Sequence, residues 1–149
     1  MRNLTIIGGS GFIGKSFIDA YQRGNLKFKI NKLNILSRNP KIIYKEIHKP
    51  LRKIKLLQGD VANLKKLPSS ELIIYASEPA DVQRYSRKIV NKYIKVIKNF
   101  CRLVRKKKNI KILYISSGSI YGKNNMKKKY RYYNDLKKFS ENEIKKLSK

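Results

Sequence analysis

Acidic residues are scarce in this chain: Asp and Glu together number 9 against 37 Lys and Arg, a net charge of +28 over 149 residues. Cysteine and histidine are scarcer still, with Cys101 and His48 alone of their kinds. A single thiol excludes an internal disulfide, and its place among helix-spaced apolar residues in "VIKNFCRLV" makes it a core thiol rather than a nucleophile. One histidine with no second Cys or His nearby supports no zinc site, so no metal is expected. No apolar run approaches the ~20 residues of a membrane span. The stretch "MRNLTIIGGSGFIG" breaks into glycines where a signal peptide needs a longer apolar segment and a cleavage site. These absences point to a cytoplasmic protein with no membrane partner. With 41% hydrophobic residues, the chain is expected to form one domain over residues 1–149.

What is abundant is lysine. An excess of this size suggests a nucleic-acid partner or an anionic substrate. The lysines are spread through every segment, with local runs at "RKKKN" (Arg105 to Asn109) and "KKK" (Lys127 to Lys129). No RNA-binding aromatic signature, zinc finger or helix-turn-helix pattern accompanies them, so no specific nucleic-acid partner is expected. Lys, Ile, Asn and Tyr are also the residues an A/T-rich gene favours, and codon composition accounts for most of the excess. Nonspecific polyanion binding at low salt follows whatever the origin of the charge.

Read along its length, the chain alternates. "NLTIIGG" (Asn3 to Gly9) is a short apolar run ended by glycines, and "FIGKSFIDAYQRG" (Phe12 to Gly24) has helical apolar spacing and a terminal glycine. "KLNILSR" (Lys32 to Arg38), "KIKLLQGD" (Lys53 to Asp60), "ELIIYAS" (Glu71 to Ser77) and "IKILYISS" (Ile110 to Ser117) are continuous apolar runs, the pattern of strands buried on both faces of a parallel sheet. Between them lie "PKIIYKEIHK" (Pro40 to Lys49), a shorter connection over Val61 to Ser70, and a long helical stretch from about Asp81 to Lys108. A further helix over Arg131 to Ile144 places Tyr133, Lys137 and Glu141 at successive turns. The alternation predicts a doubly wound α/β domain with about five parallel strands in the order 3-2-1-4-5.

The turn after the first strand carries the first chemical signal. "GGSGFIG" contains Gly8-x-x-Gly11-x-x-Gly14, and it opens the first helix. Glycine at Gly8 permits a tight turn, Gly11 lets backbone approach a pyrophosphate, and Gly14 permits close packing of the helix, whose N-terminus presents free N–H groups to phosphates. In this strand-to-helix setting the triplet predicts dinucleotide binding.

This spacing, with three further segments, resembles the extended short-chain dehydrogenase/reductase family, also called the NAD-dependent epimerase/dehydratase family, from Asn3 to the end. "GDV" (Gly59 to Val61) is similar to the family's Gly-Asp-hydrophobic element, which implies that Asp60 meets the adenine amino group and Val61 covers the ring. "ISSGSIYG" (Ile115 to Gly122) resembles the family's Ser-Ser-x-x-hydrophobic-Tyr-Gly segment and maps the catalytic serine onto Ser117. "YNDLKKFSE" resembles its Tyr-x-x-x-Lys-x-x-x-Glu, which makes Tyr133 and Lys137 the catalytic pair and gives both a place beside the cofactor. The resemblance further implies a Rossmann domain whose cofactor contacts include Phe12 and Ile13 in the glycine turn and Ala76 and Ser77 after the fourth strand. It implies hydride transfer on a nucleotide-sugar or similar anionic substrate. A tyrosine hydroxyl titrates near 10, so as an acid/base it needs a positive charge close by, which Lys137 is placed to supply.

Cofactor choice rests on the end of the second strand, where enzymes selecting NAD usually carry Asp or Glu. "LSRNP" has Ser37 and Arg38 instead, which favours the 2′-phosphate of NADP over NAD. Two departures from the family stand out. Many members have His-hydrophobic-Ala-Ala where this chain has "YASEPA" (Tyr75 to Ala80), so the wall on the nicotinamide side is altered. Members also commonly continue for a hundred residues or more past the Tyr-x-x-x-Lys helix, so the C-terminal substrate domain is expected to be absent. Two readings follow: an enzyme whose missing pocket walls are provided by a second copy, another chain or a very small substrate, or a non-catalytic NADP(H)-binding or interaction module. The stretch from Asp81 to Lys108 would supply a homodimer surface of the kind the family uses.

Overall fold

In the computed structural model, which describes residues 2–45, 47, 53–79, 81–122 and 128–147, two compact units form. One comprises Met1–Asp60, Lys66–Ser77 and Lys108–Leu113; the other comprises Val61–Lys65, Glu78–Lys107 and Tyr114–Lys149.

The first unit is built on a sheet. Its strands are β1 (Arg2–Ile7), β2 (Ile30–Ser37), β3 (Ile54–Gln58), β4 (Leu72–Tyr75) and β5 (Lys111–Tyr114), in the order β3-β2-β1-β4-β5. β1 pairs in parallel with β2 and with β4, and β2 in parallel with β3. The register sets Ile6 against Ile35 and Ile74, so apolar side chains meet across the three inner strands. Leu4, Ile6, Ile7, Leu33, Ile35 and Ile73 are almost fully buried, each contributing about 1.5–3 kcal/mol of burial. β3 and β5 keep exposed positions. Reversal of strand order beside β1 is the doubly wound Rossmann arrangement.

Two polar residues inside this sheet are satisfied. Thr5 and Ser70 hydroxyls bond each other, and Asn34 donates its amide to Thr5 Oγ1 and to the Ser69 carbonyl, both at 3.4 Å. Helix α1 (Phe12–Gln22) follows β1 and stops where Gly24 takes a φ of +78° that ordinary residues avoid. The connection predicted over Pro40 to Lys49 forms one helical turn, α2 (Lys41–Tyr44); His48 and Lys49 lie outside the described residues.

The second unit is helical. The stretch predicted as one helix from about Asp81 to Lys108 divides into a 3-10 turn over Val82–Arg84 and helix α3 (Arg87–Arg105). Two caps cause the division. Asp81 accepts from the Gln83 N–H at 2.9 Å, and Ser86 accepts from the Ile89 N–H at 3.4 Å, each starting its own segment. α3 buries Tyr93, Val96, Ile97, Phe100, Cys101 and Val104 along one stripe. Asn99 on the same helix donates to the Val61 carbonyl at 2.6 Å and the Leu64 carbonyl at 3.1 Å, tying down the 3-10 turn over Val61–Asn63. Burial pushes the Cys101 thiol up to about 11, so it is a packing group. Helix α4 (Lys128–Lys145) completes the unit and buries Asn134, Leu136, Lys137 and Ser140. Among the described residues no helix is long and apolar enough to cross a membrane, and no three metal-ligating side chains cluster.

Candidate functional site

The residues singled out by the sequence divide between the two units. In the first, Gly8 leaves β1 with a φ of +90°, and a Cβ there would strike the carbonyl of Ala76 just past β4. The turn therefore sits where the carboxyl ends of β1 and β4 meet, and it brings Gly8 against Ala76 and Ser77. Gly14 is required for a different contact from the helix-to-sheet one expected: its Cβ would collide with the backbone of Gly9 inside the turn. Gly9 was not singled out, yet its own Cβ would run into the Ile35 side chain on β2. Gly11 is open by comparison, with only the Gly8 carbonyl near, at 3.3 Å. α1 has Gly11 at its N-cap with no side-chain cap and no acidic residue in the first turn, a helix start of the kind that suits an anion. Phe12 is 81% exposed and Ile13 39%, unusual for apolar residues beside such a turn.

At the end of β2, Ser37 and Arg38 part company. Ser37 is buried; its hydroxyl donates to Ser10 Oγ at 2.8 Å and accepts from the Asn39 N–H at 3.2 Å. Arg38 is exposed. Asp60 follows β3, with the Gly59 N–H held by the Ser37 carbonyl at 3.0 Å. Val61, in the second unit, is buried.

The acid/base candidates all lie in the second unit. Tyr133 and Lys137 occupy successive turns of α4, and the Lys137 ammonium lies 5.8 Å from the centre of the Tyr133 ring. Tyr85 packs its ring edge against Tyr133 with centroids 5.1 Å apart. The Tyr85 hydroxyl donates to the Pro79 carbonyl at 2.9 Å, and burial, with the charge of Glu78 next, raises its pKa well beyond the tyrosine range. Tyr85 thus stays a protonated packing partner of Tyr133. Ser117 caps the 3-10 turn Gly118–Tyr121. Its hydroxyl lies 2.9 Å from Ser119 Oγ, and Ser119 donates onward to Asn134 Oδ1 at 2.8 Å. Ser119 has one hydroxyl proton and gives it to Asn134, so Ser117 is the donor in the first contact, while its Oγ accepts from the Ser119 N–H at 3.4 Å.

Sequence reasoning missed Glu78. Its carboxylate lies 2.9 Å from the Lys137 ammonium with both side chains buried, and the Tyr114 hydroxyl donates to both its oxygens, at 3.0 and 3.1 Å. Lys137 also donates to the Ile115 carbonyl at 2.9 Å. The available signal was an acid in a chain with few, placed just after a strand, in the "YASEPA" stretch already marked as altered. Glu141, the last member of the Tyr-Lys-Glu series, is turned to another task. It accepts from the Tyr121 hydroxyl at 2.8 and 2.9 Å and pairs with Lys145 at 3.3 Å.

A parallel sheet in this order with a glycine turn at the strand-order reversal defines a Rossmann-type nucleotide-binding fold. The sequence pattern of the NAD dependent epimerase/dehydratase family matches residues 4–147, and the chain belongs to that family. No curated protein sequence matches it. Among solved structures it is similar to Pen from Bacillus thuringiensis, at 20% identity and a TM-score of 0.74 over 98% of this chain and 45% of that one. It is similar to the UDP-Glc/GlcNAc 4-epimerase from Campylobacter jejuni at 18% identity, a TM-score of 0.72 and coverage of 99% and 49%. A third is the dTDP-glucose 4,6-dehydratase from Bacillus anthracis in complex with NAD, at 14% identity, a TM-score of 0.65 and coverage of 95% and 48%. The chain spans about half the length of these proteins, and at such identities the likeness is one of fold.

Proposed function

We propose that this chain binds a nicotinamide dinucleotide through the β1–α1 turn and carries the acid/base residues for hydride-transfer chemistry on a nucleotide-sugar or similar anionic substrate. Family membership and the NAD complex among the neighbours support the cofactor class. The α1 N-terminus, without a side-chain cap and with a side-chain-free Gly11 at its N-cap, suits its pyrophosphate. Arg38, exposed at the end of β2 where no acid stands, favours NADP over NAD. In this reading Phe12, Ile13, Asp60, Val61, Ala76 and Ser77 line the rest of the dinucleotide.

When bound, the nicotinamide supplies the hydride acceptor or donor. The protein supplies the proton and the geometry. Tyr133 would take the proton from a substrate hydroxyl, or return it to a carbonyl oxygen, with the ammonium of Lys137 one turn on to favour the phenolate. Lys137 would also serve a ribose hydroxyl, and Ser117 would hold the substrate oxygen that gains or loses the proton. The observation that carries the proposal is the placement of the Lys137 ammonium 5.8 Å from the centre of the Tyr133 ring, one turn along the same helix, where a positive charge favours a phenolate. A homodimer through α3 belongs to the same reading, with sedimentation as its check, as does a cytoplasmic location, which suits a single buried thiol.

The test is NADPH or NADH turnover, or epimer formation, across a panel of nucleotide-sugars with the parent and Tyr133→Phe. Cofactor binding should survive the substitution while turnover falls by about 10²- to 10⁴-fold. A second reading, a dinucleotide-binding module without turnover, draws on the Glu78–Lys137 pair, which occupies the ammonium. Bound cofactor with no turnover in the parent would favour it.

A further inference from the structure

The Glu78–Lys137 pair stands apart from the Arg23–Asp19, Arg84–Asp81, Lys145–Glu141 and Lys146–Glu143 pairs. Its side chains are 3% and 8% exposed, whereas each of the others keeps at least one partner half-exposed or more. A surface pair contributes little and restrains little. A buried pair is different in kind, because either partner alone would be an uncompensated charge out of water, and so each fixes the other. Glu78 is held in turn by the Tyr114 hydroxyl on both oxygens. The Lys137 stem, which free in solution carries ~2 kcal/mol of rotamer entropy, ends in an ammonium with two hydrogens assigned, one to Glu78 and one to the Ile115 carbonyl. The third hydrogen therefore has a defined direction, and the 5.3 and 5.8 Å separations from the Tyr114 and Tyr133 ring centres fix where its nitrogen sits.

We propose that Glu78 is a positioning residue: its carboxylate, gripped by Tyr114, orients the Lys137 ammonium so that one N–H remains for the nicotinamide ribose of a bound dinucleotide. This rests on the dinucleotide reading above. It adds a role for a residue outside the glycine turn and outside the Ser-Tyr-Lys set, and gives "YASEPA" a task in place of the wall it alters. Glu78 touches neither substrate nor cofactor; it acts through Lys137.

A structural ion pair and a positioning pair make different predictions. The full chain and its Glu78→Gln and Tyr114→Phe variants are titrated with NADPH and NADH, and with ADP as the probe that lacks the nicotinamide ribose. Gln keeps the size of Glu and can still accept a hydrogen bond, while Phe keeps the Tyr114 ring against Lys137. Glu78→Gln is expected to weaken binding of the preferred dinucleotide about tenfold, the scale of one hydrogen bond to a charged group, and to leave ADP affinity as in the parent. Tyr114→Phe should act in the same direction and less strongly, and it carries the test alone if Glu78→Gln does not fold. Equal weakening of dinucleotide and ADP would mean a structural role and overturn the proposal, as would unchanged dinucleotide affinity. A parent that binds neither dinucleotide overturns the reading beneath it, an outcome distinct from a variant that behaves like its parent.

Discussion

Ser119 and Asn134 hold each other reciprocally: the Ser119 hydroxyl donates to Asn134 Oδ1 at 2.8 Å, and the Asn134 amide donates to the Ser119 carbonyl at 3.2 Å. The pair clamps the turn that carries Ser117 onto the helix that carries Tyr133. Asn134 is buried, so deleting its amide leaves the Ser119 groups without those bonds in a half-buried place. Asn134→Ala should cost about 1–3 kcal/mol in urea denaturation. Ser119→Ala, which leaves the backbone carbonyl bond in place, should cost less.

Acidification should loosen the same turn from α4. The hydrogen bond from Tyr121, then Lys145, holds the Glu141 carboxyl below its ordinary value of 4.5, and the ammonium of Lys146 does the same for Glu143. A carboxyl depressed in the folded state contributes stability that is present above its unfolded value and lost as pH falls through the folded one. Melting temperature measured from pH 6 downward should therefore decline below about 4.5. Tyr121→Phe should make that decline shallower. A parallel decline in both proteins would show that Tyr121 is not the partner that matters.

The sheet was legible because strands buried on both faces carry apolar runs, and Leu4, Ile6 and Ile7 on β1, Leu33, Ile35 and Leu36 on β2, and Leu72 to Tyr75 on β4 supply them. Local chemistry was legible too: the glycine turn, and the helical spacing of Tyr133 and Lys137. What escaped were pairings between segments far apart in the chain. Nothing local to Glu78 says that it meets Lys137, and nothing near Asn99 says that it caps the carbonyls of Val61 and Leu64. The division at Ser86 was missed because α3 and the turn before it share an apolar rhythm, and only the two caps separate them. Gly9 escaped because its neighbour Ile35 sits on another strand.

Gly8 and Gly11 belong to one turn but should fail differently. Gly8 has a left-handed φ of +90° and no room for a Cβ against Ala76. Gly8→Ala should therefore destabilise the fold by more than about 2 kcal/mol, strain and clash together. Gly11→Ala meets only the Gly8 carbonyl, at 3.3 Å, and should leave the melting temperature within a few degrees while weakening dinucleotide binding. Equal loss of stability in both would contradict the geometry.

Cofactor preference should separate Ser37 from Arg38. The two were read from the sequence as joint contacts for a 2′-phosphate, but the Ser37 hydroxyl is buried and taken by Ser10 and Asn39, whereas Arg38 is exposed with its guanidinium outside the sheet's core. A charge-assisted contact to a phosphate is worth about 1.5–3 kcal/mol. On that scale Arg38→Ala should remove most of the preference for NADPH over NADH, lowering NADPH affinity roughly tenfold or more and leaving NADH nearly unchanged. Ser37→Ala should shift the two cofactors together and only slightly, through the loss of its bond to Ser10. Arg38→Lys serves as the discriminating control, because an ammonium keeps the charge and loses the two-pronged geometry: it should recover part of the preference if Arg38 pairs with the phosphate, and none if Arg38 only stacks on the adenine. Equal affinity of the parent for both cofactors would remove the basis for assigning Arg38 this role.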